Sequence, residues 1–354
     1  MIRFGKKMQF KFGAMVMLWL SAVIGLPQES QVSSTEYGYP NIQGYWTNPF
    51  QTPLERPTNL GNKRNYNAIE AQALVDRAIS MDNERQAPID PNRSAPEAGG
   101  RINNQADGNF EVMPIEMARV NGEYRTSFVI EPSNGRIPWR EDGKDIHLKW
   151  REQGKLRFDG PEGLTPLDRC LNPGAQLPLI FIFGGVGHAL GNPAGDNPVR
   201  NIQIVQNEDY VVMLAEYFSL VRIIRIDSEF RPEQGNKWMG DSIGYYENNS
   251  LVVHTRHFRP EQSIGSLRSS EAFEVKEVFT RVSDNEILFK YTITDPNIYT
   301  QPWTAEIPLQ RMKDGLLLYE YACHEGNYGM INTLRGARVE ERLVSEGVDI
   351  GERD

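Results

Sequence analysis

The run Cys323-His324-Glu325-Gly326-Asn327-Tyr328 is the densest cluster of reactive side chains in this chain. Residues 316–325 read as its last β-strand, and alternation sends Leu316, Leu318, Glu320, Ala322 and His324 to one face. Glu320 and His324 are then too far apart to touch but able to share a ligand. If that face lines a barrel, the histidine is a candidate base and the carboxylate a candidate acid in a proton transfer. The alternative is a histidine satisfied by backbone or by a neighbouring strand.

Charged residues inside other predicted strands widen the set. Over 273–281, Glu277 and Arg281 share a face with Phe273, Val275 and Phe279, an apolar setting in which a charge needs a partner. They would pair with each other, hold a bound anion, or form a cross-strand ion pair at a barrel rim. Arg222 and Arg225 fall on opposite faces of the strand 221–226, so at most one points inward, where its planar donors suit a carboxylate. A solvated rim position is the alternative. His254 and Arg256 share a face of 250–258. In an acid–base scheme Glu277 is a second candidate acid for His324, and an arginine such as Arg281 would steady developing negative charge.

Other chemistries find no motif. The five histidines show neither HExxH nor clustered zinc spacing, so no metal or other cofactor is expected. The segment 240–244 lacks the spacing and context of a nucleophile elbow, and the glycines at 184, 185 and 187 lack a dinucleotide-binding pattern. The aromatic side chains say more. Trp238, Trp303 and Tyr328, with Trp46, Trp139 and Trp150, would offer a broad contact surface to a hydrophobic or cyclic ligand, or fill a β-core. His254, Arg256 and Arg222 would add polar contacts to such a ligand.

The elements that must position these residues are mostly strands. Nine segments between 201 and 323 are rich in β-branched and aromatic residues and are parted by turn signals such as Asn207-Glu208-Asp209, Glu247-Asn248-Asn249 and Lys313-Asp314-Gly315. Such a series predicts an all-β, mainly antiparallel fold: a lipocalin-like up-and-down β-barrel, with a β-sandwich as the alternative. Residues 67–81 carry apolar residues at helical spacing. The stretches 87–108 and 160–200 read as long irregular segments, the second a candidate lid. The expected organisation is a signal peptide over 1–25, an irregular, partly helical region over 26–200 packed on the barrel, a barrel core over 201–340 and a tail over 341–354.

Several of these stretches together resemble a family of exported bacterial proteins of uncharacterised function. They are Gln203-Ile204-Val205-Gln206 with Asp209-Tyr210-Val211-Val212, Trp238-Met239-Gly240-Asp241-Ser242, Asp295-Pro296, Pro302-Trp303-Thr304 and the run from Tyr321 to Tyr328. The resemblance extends to Thr52-Pro53-Leu54-Glu55-Arg56-Pro57 and Asp168-Arg169-Cys170, and it implies export and a shared fold without an activity. In architecture alone the strand series is similar to lipocalin-type ligand-binding barrels.

The formal charge of -9 is spread along the chain, so neither nucleic acid nor an anionic membrane surface is an expected partner. Arg3, Lys6, Lys7 and Lys11 precede an apolar run too short to span a bilayer, the pattern of a secretory signal peptide; an uncleaved anchor is the alternative. The mature protein is expected in the periplasm or outside the cell, without stable membrane insertion. In that oxidising setting Cys170 and Cys323 are expected to form a disulfide, against two buried thiols or a thiolate nucleophile. The expected task is binding of a hydrophobic or polycyclic small molecule; the alternative is a cofactor-independent lyase, isomerase or hydrolase.

Overall fold

The computed structural model describes residues 33–48, 50, 52–86, 92, 116–143, 158–164, 166, 168–171, 201–260, 269–313 and 315–349. The leader expected over 1–25, His147, Trp150, His188 and most of the stretches 87–108 and 160–200 lie outside them.

Short strands come first: β1 (Gly44–Thr47), β2 (Asn65–Tyr66), β3 (Arg119–Val120), β4 (Glu123–Arg125) and β5 (Val129–Glu131). A regular run follows, with β6 (Ile202–Gln206), β7 (Tyr210–Ala215), β8 (Val221–Ile226), β9 (Asp241–Glu247) and β10 (Ser250–Arg256). It ends with β11 (Glu274–Ser283), β12 (Glu286–Thr294) and β13 (Trp303–Arg311). Two α-helices are described, α1 (Ala68–Gln86) and α2 (Tyr328–Ser345). Helix α1 starts on a reciprocal cap: Asn67 Oδ1 accepts from the Glu70 backbone N–H, and Glu70 Oε2 accepts from that of Asn67, each at 2.9 Å.

The expected all-β barrel is the observed fold. Nine strands close in the order β1-β6-β7-β8-β9-β10-β11-β12-β13, with β13 pairing back onto β1. Every pairing is antiparallel except β8 with β9, which is parallel. Parity requires such an exception. In a ring with an odd number of strands strict alternation brings first and last together in the same direction, so one parallel contact must stand somewhere. The barrel is therefore mixed rather than purely up-and-down.

Membership of the ring differs from expectation at one strand. Residues 316–320 join no ladder and the chain turns over 323–326, so the strand expected over 316–325 is absent. Its place is taken by β1, from the region expected to pack on the barrel. Trp46 lies opposite both Arg311 of β13 and Ile202 of β6, so β1 occupies both free edges and leaves 316–325 nothing to pair with. The barrel thus runs from residue 44 to 311, and α2 occupies part of the segment expected to continue it. Residues 125–130 divide between β4 and β5, which lie in different sheets.

Local sequence accounts for the hairpins. Asn207 Oδ1 accepts from the backbone N–H of Asp209 at 3.0 Å and of Tyr210 at 2.7 Å, folding the β6–β7 turn, while Asn248 and Asn249 both take the positive φ that a two-residue hairpin demands. The interior is one continuous apolar cluster in which Trp46, Phe279, Phe289, Tyr291 and Trp303 are fully enclosed. At the hairpin end the preceding chain plugs the barrel. Gln206 accepts from the Ile42 N–H at 2.7 Å and donates to the Pro40 carbonyl at 3.1 Å, and Tyr39 stacks on Tyr246 at 4.1 Å.

The parallel contact needs a crossover, 227–240, from one end of the barrel to the other. Arg225 fixes it by binding both carboxylate oxygens of Asp241, at 2.7 and 3.1 Å, and Arg231 adds its backbone N–H at 2.8 Å. Outside β13, Glu306 is held by Arg125 of the small β2–β4–β3 sheet at 2.8 Å and by Arg64, just before β2, at 3.1 Å. The chain after β13 docks at the other end, where the Tyr319 N–H donates to Glu216 Oε2 at 2.9 Å and Tyr321 stacks on Phe218. Cys170 and Cys323 form the expected disulfide, and Arg338 of α2 donates to the carbonyls of Asp159 and Phe158 in the bridged segment.

Candidate functional site

Alternation along β8 to β12 turns a polar side chain inward on five consecutive strands: Arg222, Ser242, Thr255, Glu277 and Tyr291. Register carries the belt across the sheet, since Ser242 lies opposite Thr255, Glu277 opposite Tyr291, and Tyr291 opposite Ala305. Arg222 is its hub. Its Nη1 donates to Glu277 Oε1 at 2.9 Å, Nη2 to Glu277 Oε2 and to Thr255 Oγ1 at 2.8 Å, and Nε to Ser242 Oγ at 3.1 Å. Ser242 and Thr255 share a further bond of 3.0 Å.

Glu277 is wholly enclosed, and burial pushes its carboxyl above the usual range against the pull of Arg222. The bidentate fork occupies both oxygens, so the pair acts as a fixed buried dipole. An aromatic wall continues from it. Phe279 stacks on Phe289 at 4.5 Å, Phe289 meets Tyr291 at 5.4 Å, and Trp303 stands edge-on to Tyr291 at 5.8 Å and to Tyr299 at 5.9 Å. Trp139 approaches Tyr299 at 5.1 Å. Within this wall the indole N–H of Trp303 is buried and has no acceptor among the described residues; just beyond β1 the buried Asn48 amide likewise has neither a donor to its Oδ1 nor an acceptor for its Nδ2 among them.

The residues expected to do chemistry are dispersed. Glu277 and Arg222 meet, and Arg281, one of the partners the sequence allowed Glu277, does not reach it. Arg281 instead reaches the hairpin end, where it donates to the Asn41 carbonyl at 2.6 Å and to Asp284, and lies over the Trp46 ring at 5.1 Å. His324 and Glu320 are exposed, His324 in a turn and Glu320 in unpaired chain, and neither shares a face with Glu277 inside the barrel. His254 lies on the outside, stacked on Tyr245 at 6.2 Å, with its pKa lowered by burial and then by Lys276 and Arg256. Arg256 pairs with Glu274 at 3.0 Å outside the barrel. Trp238 sits in the crossover under the Arg259 guanidinium, and Tyr328 is the exposed first residue of α2. Arg225, allowed a solvated position, is buried with Asp241. Burial raises the Asp241 carboxyl, but the bonds from Arg225 and Arg231 outweigh it and hold the group at about 2.

Ser242, Thr255 and Asn48 escaped the sequence reading. The two hydroxyls were findable, since each occupies an alternate position facing inward with apolar neighbours; Asn48 carries no comparable signal. Among the described residues no group of three or more His, Cys, Asp or Glu side chains is placed to hold a metal. The barrel, with a buried ion pair set against an aromatic wall, defines a structural class and not yet a relative: no family model matches the chain, and neither the curated proteins nor the solved structures provide a match.

Proposed function

We propose that this chain is an exported binding module whose barrel accommodates a small hydrophobic, ring-bearing molecule with a hydrogen-bond acceptor. The observation that carries the reading is the Trp303 indole N–H, fully enclosed among aromatic rings and lacking an acceptor among the described residues. An unmet buried donor costs roughly 1 to 3 kcal/mol, a cost that a guest carbonyl or ether oxygen would remove. The surrounding rings of Tyr291 and Tyr299 supply flat contact area for a cyclic guest. Export is supported by the disulfide, which suits an oxidising compartment, and among the described residues no helix is long and apolar enough to cross a membrane.

Mass spectrometry of small molecules retained by the purified protein tests this directly, with Trp303→Phe alongside. The expected result is a compound recovered unchanged from the parent and bound about tenfold more weakly by the variant, the loss of one net hydrogen bond. Equal retention by both proteins, or no retained compound across an extract of the native compartment, would sink the reading.

A further inference from the structure

The outer surface of the barrel is divided into unlike sectors. The outside of β13 is covered by the N-terminal strands that hold Glu306, and β11 and β12 present Glu274, Lys276, Glu286 and Lys290 outward, as a solvated sheet should. The sector formed by β6 to β9 breaks that pattern. In register across three strands, Val205 lies opposite Val212 and Val212 opposite Ile223; in the next row Leu214 lies opposite Val221. Val221 and Ile223 are each more than half exposed, Val205 is nearly so, and Tyr245 of β9 extends the patch. A contiguous apolar surface of this kind marks an interaction site more often than ordinary solvent-facing surface.

Charge selects the partner. The charged outward side chains on β6 to β9 are Arg225 and Asp241, which pair, and Glu247 at the hairpin end; with Lys237 of the crossover 3.7 Å from Asp241, positive and negative charges balance. In a protein of net charge -9, both cations beside this patch among the described residues, Arg225 and Lys237, are committed to Asp241, so neither is free to hold an anionic bilayer. Two identical faces, by contrast, meet without bringing like charges together only where the face is neutral, and this sector meets that condition in a chain that repels itself elsewhere. Twisted sheets with such rows pack face to face at about 10 Å, side chains interdigitating. We propose that a second copy of this chain covers the β6–β9 face, forming a two-fold dimer centred on Val221 and Ile223.

Sedimentation velocity over a dilution series tests it on the purified protein, Ile223→Lys and Lys290→Glu, the last on the polar sector. The parent and Lys290→Glu should sediment as two chains and dissociate on dilution, while Ile223→Lys stays at the mass of one chain with an unchanged circular dichroism spectrum. Should Ile223→Lys fail to fold, Val221→Lys is read in its place. A parent that remains one chain at the highest workable concentration overturns the proposal, whether or not it floats with phosphatidylcholine–phosphatidylglycerol vesicles. So does a folded lysine variant that still sediments as two.

Discussion

Arg222 and Glu277 have no water to fall back on, so removing either one strands the other as a buried charge. Arg222→Met should therefore cost about 3 to 5 kcal/mol at neutral pH, whereas Arg222→Met with Glu277→Leu should return to within about 1 kcal/mol of the parent, both read from urea denaturation. The sign with pH follows from the raised carboxyl. A group that binds its proton more tightly when folded contributes most below its unfolded pKa and loses that contribution as pH rises through its folded value, so the single variant should recover stability on acidification. A flat profile would mean that Glu277 is not the stranded charge. The residue types of this site were legible in the sequence: an apolar strand with an embedded arginine, another with an embedded glutamate. Their pairing was not, because they are 55 positions apart, and Arg281, four residues along the same face, looked like the nearer partner. His324 drew attention by local density of reactive groups, a property of the chain that says nothing about where a turn leaves it.

At the scale of elements, Asp241 holds the crossover 227–240 alongside the backbone bonds of Asp227 and Lys237, and its acid response is opposite in sign to that of Glu277. With its carboxyl at about 2 against an ordinary 3.8, Asp241 contributes stability that is complete above the ordinary value and is lost as pH falls through the folded one. Allowing for solvent screening near the rim, about 1 to 2 kcal/mol should disappear between those limits in the parent and not in Asp241→Asn, measured by thermal melts across the acid range. Parallel pH dependences in the two proteins would show that the carboxylate contributes nothing there. Most strands of this region were readable because alternation persists over five to ten residues, as in β11, whose burial alternates along nearly its whole length. Three stretches were not. Strand β1 is a four-residue piece in proline-rich chain, too short to carry a period. Residues 316–323 have the composition of a strand and fail to become one because closure leaves no edge for them. Helix α2 contains Gly329 and Gly336 and fully buries only Ala337 among its described side chains, so its apolar stripe is weak.

For the whole molecule, the ring makes β1 indispensable out of proportion to its length. A chain starting at residue 48 loses β1 together with Ile42, which plugs the hairpin end, and exposes the edges of β6 and β13. It should lose its cooperative melt and scatter light on warming, while a chain starting at residue 33 behaves as the parent; retention of a sharp transition by the shorter chain would show that β6 and β13 can meet without the intervening strand. The overall class was legible because a long run of strands must either close or sandwich, but the choice of closing strand depended on distant edges. The seam where Trp46 faces Arg311 also sets an order in time. It joins the earliest strand made to the last, so during synthesis the barrel has two raw edges until residue 311 has emerged, and each is a template for a neighbouring chain. Closure is then a single late event, and a weakened seam would show first as lower yield of folded protein, before any change in how firmly the finished barrel holds.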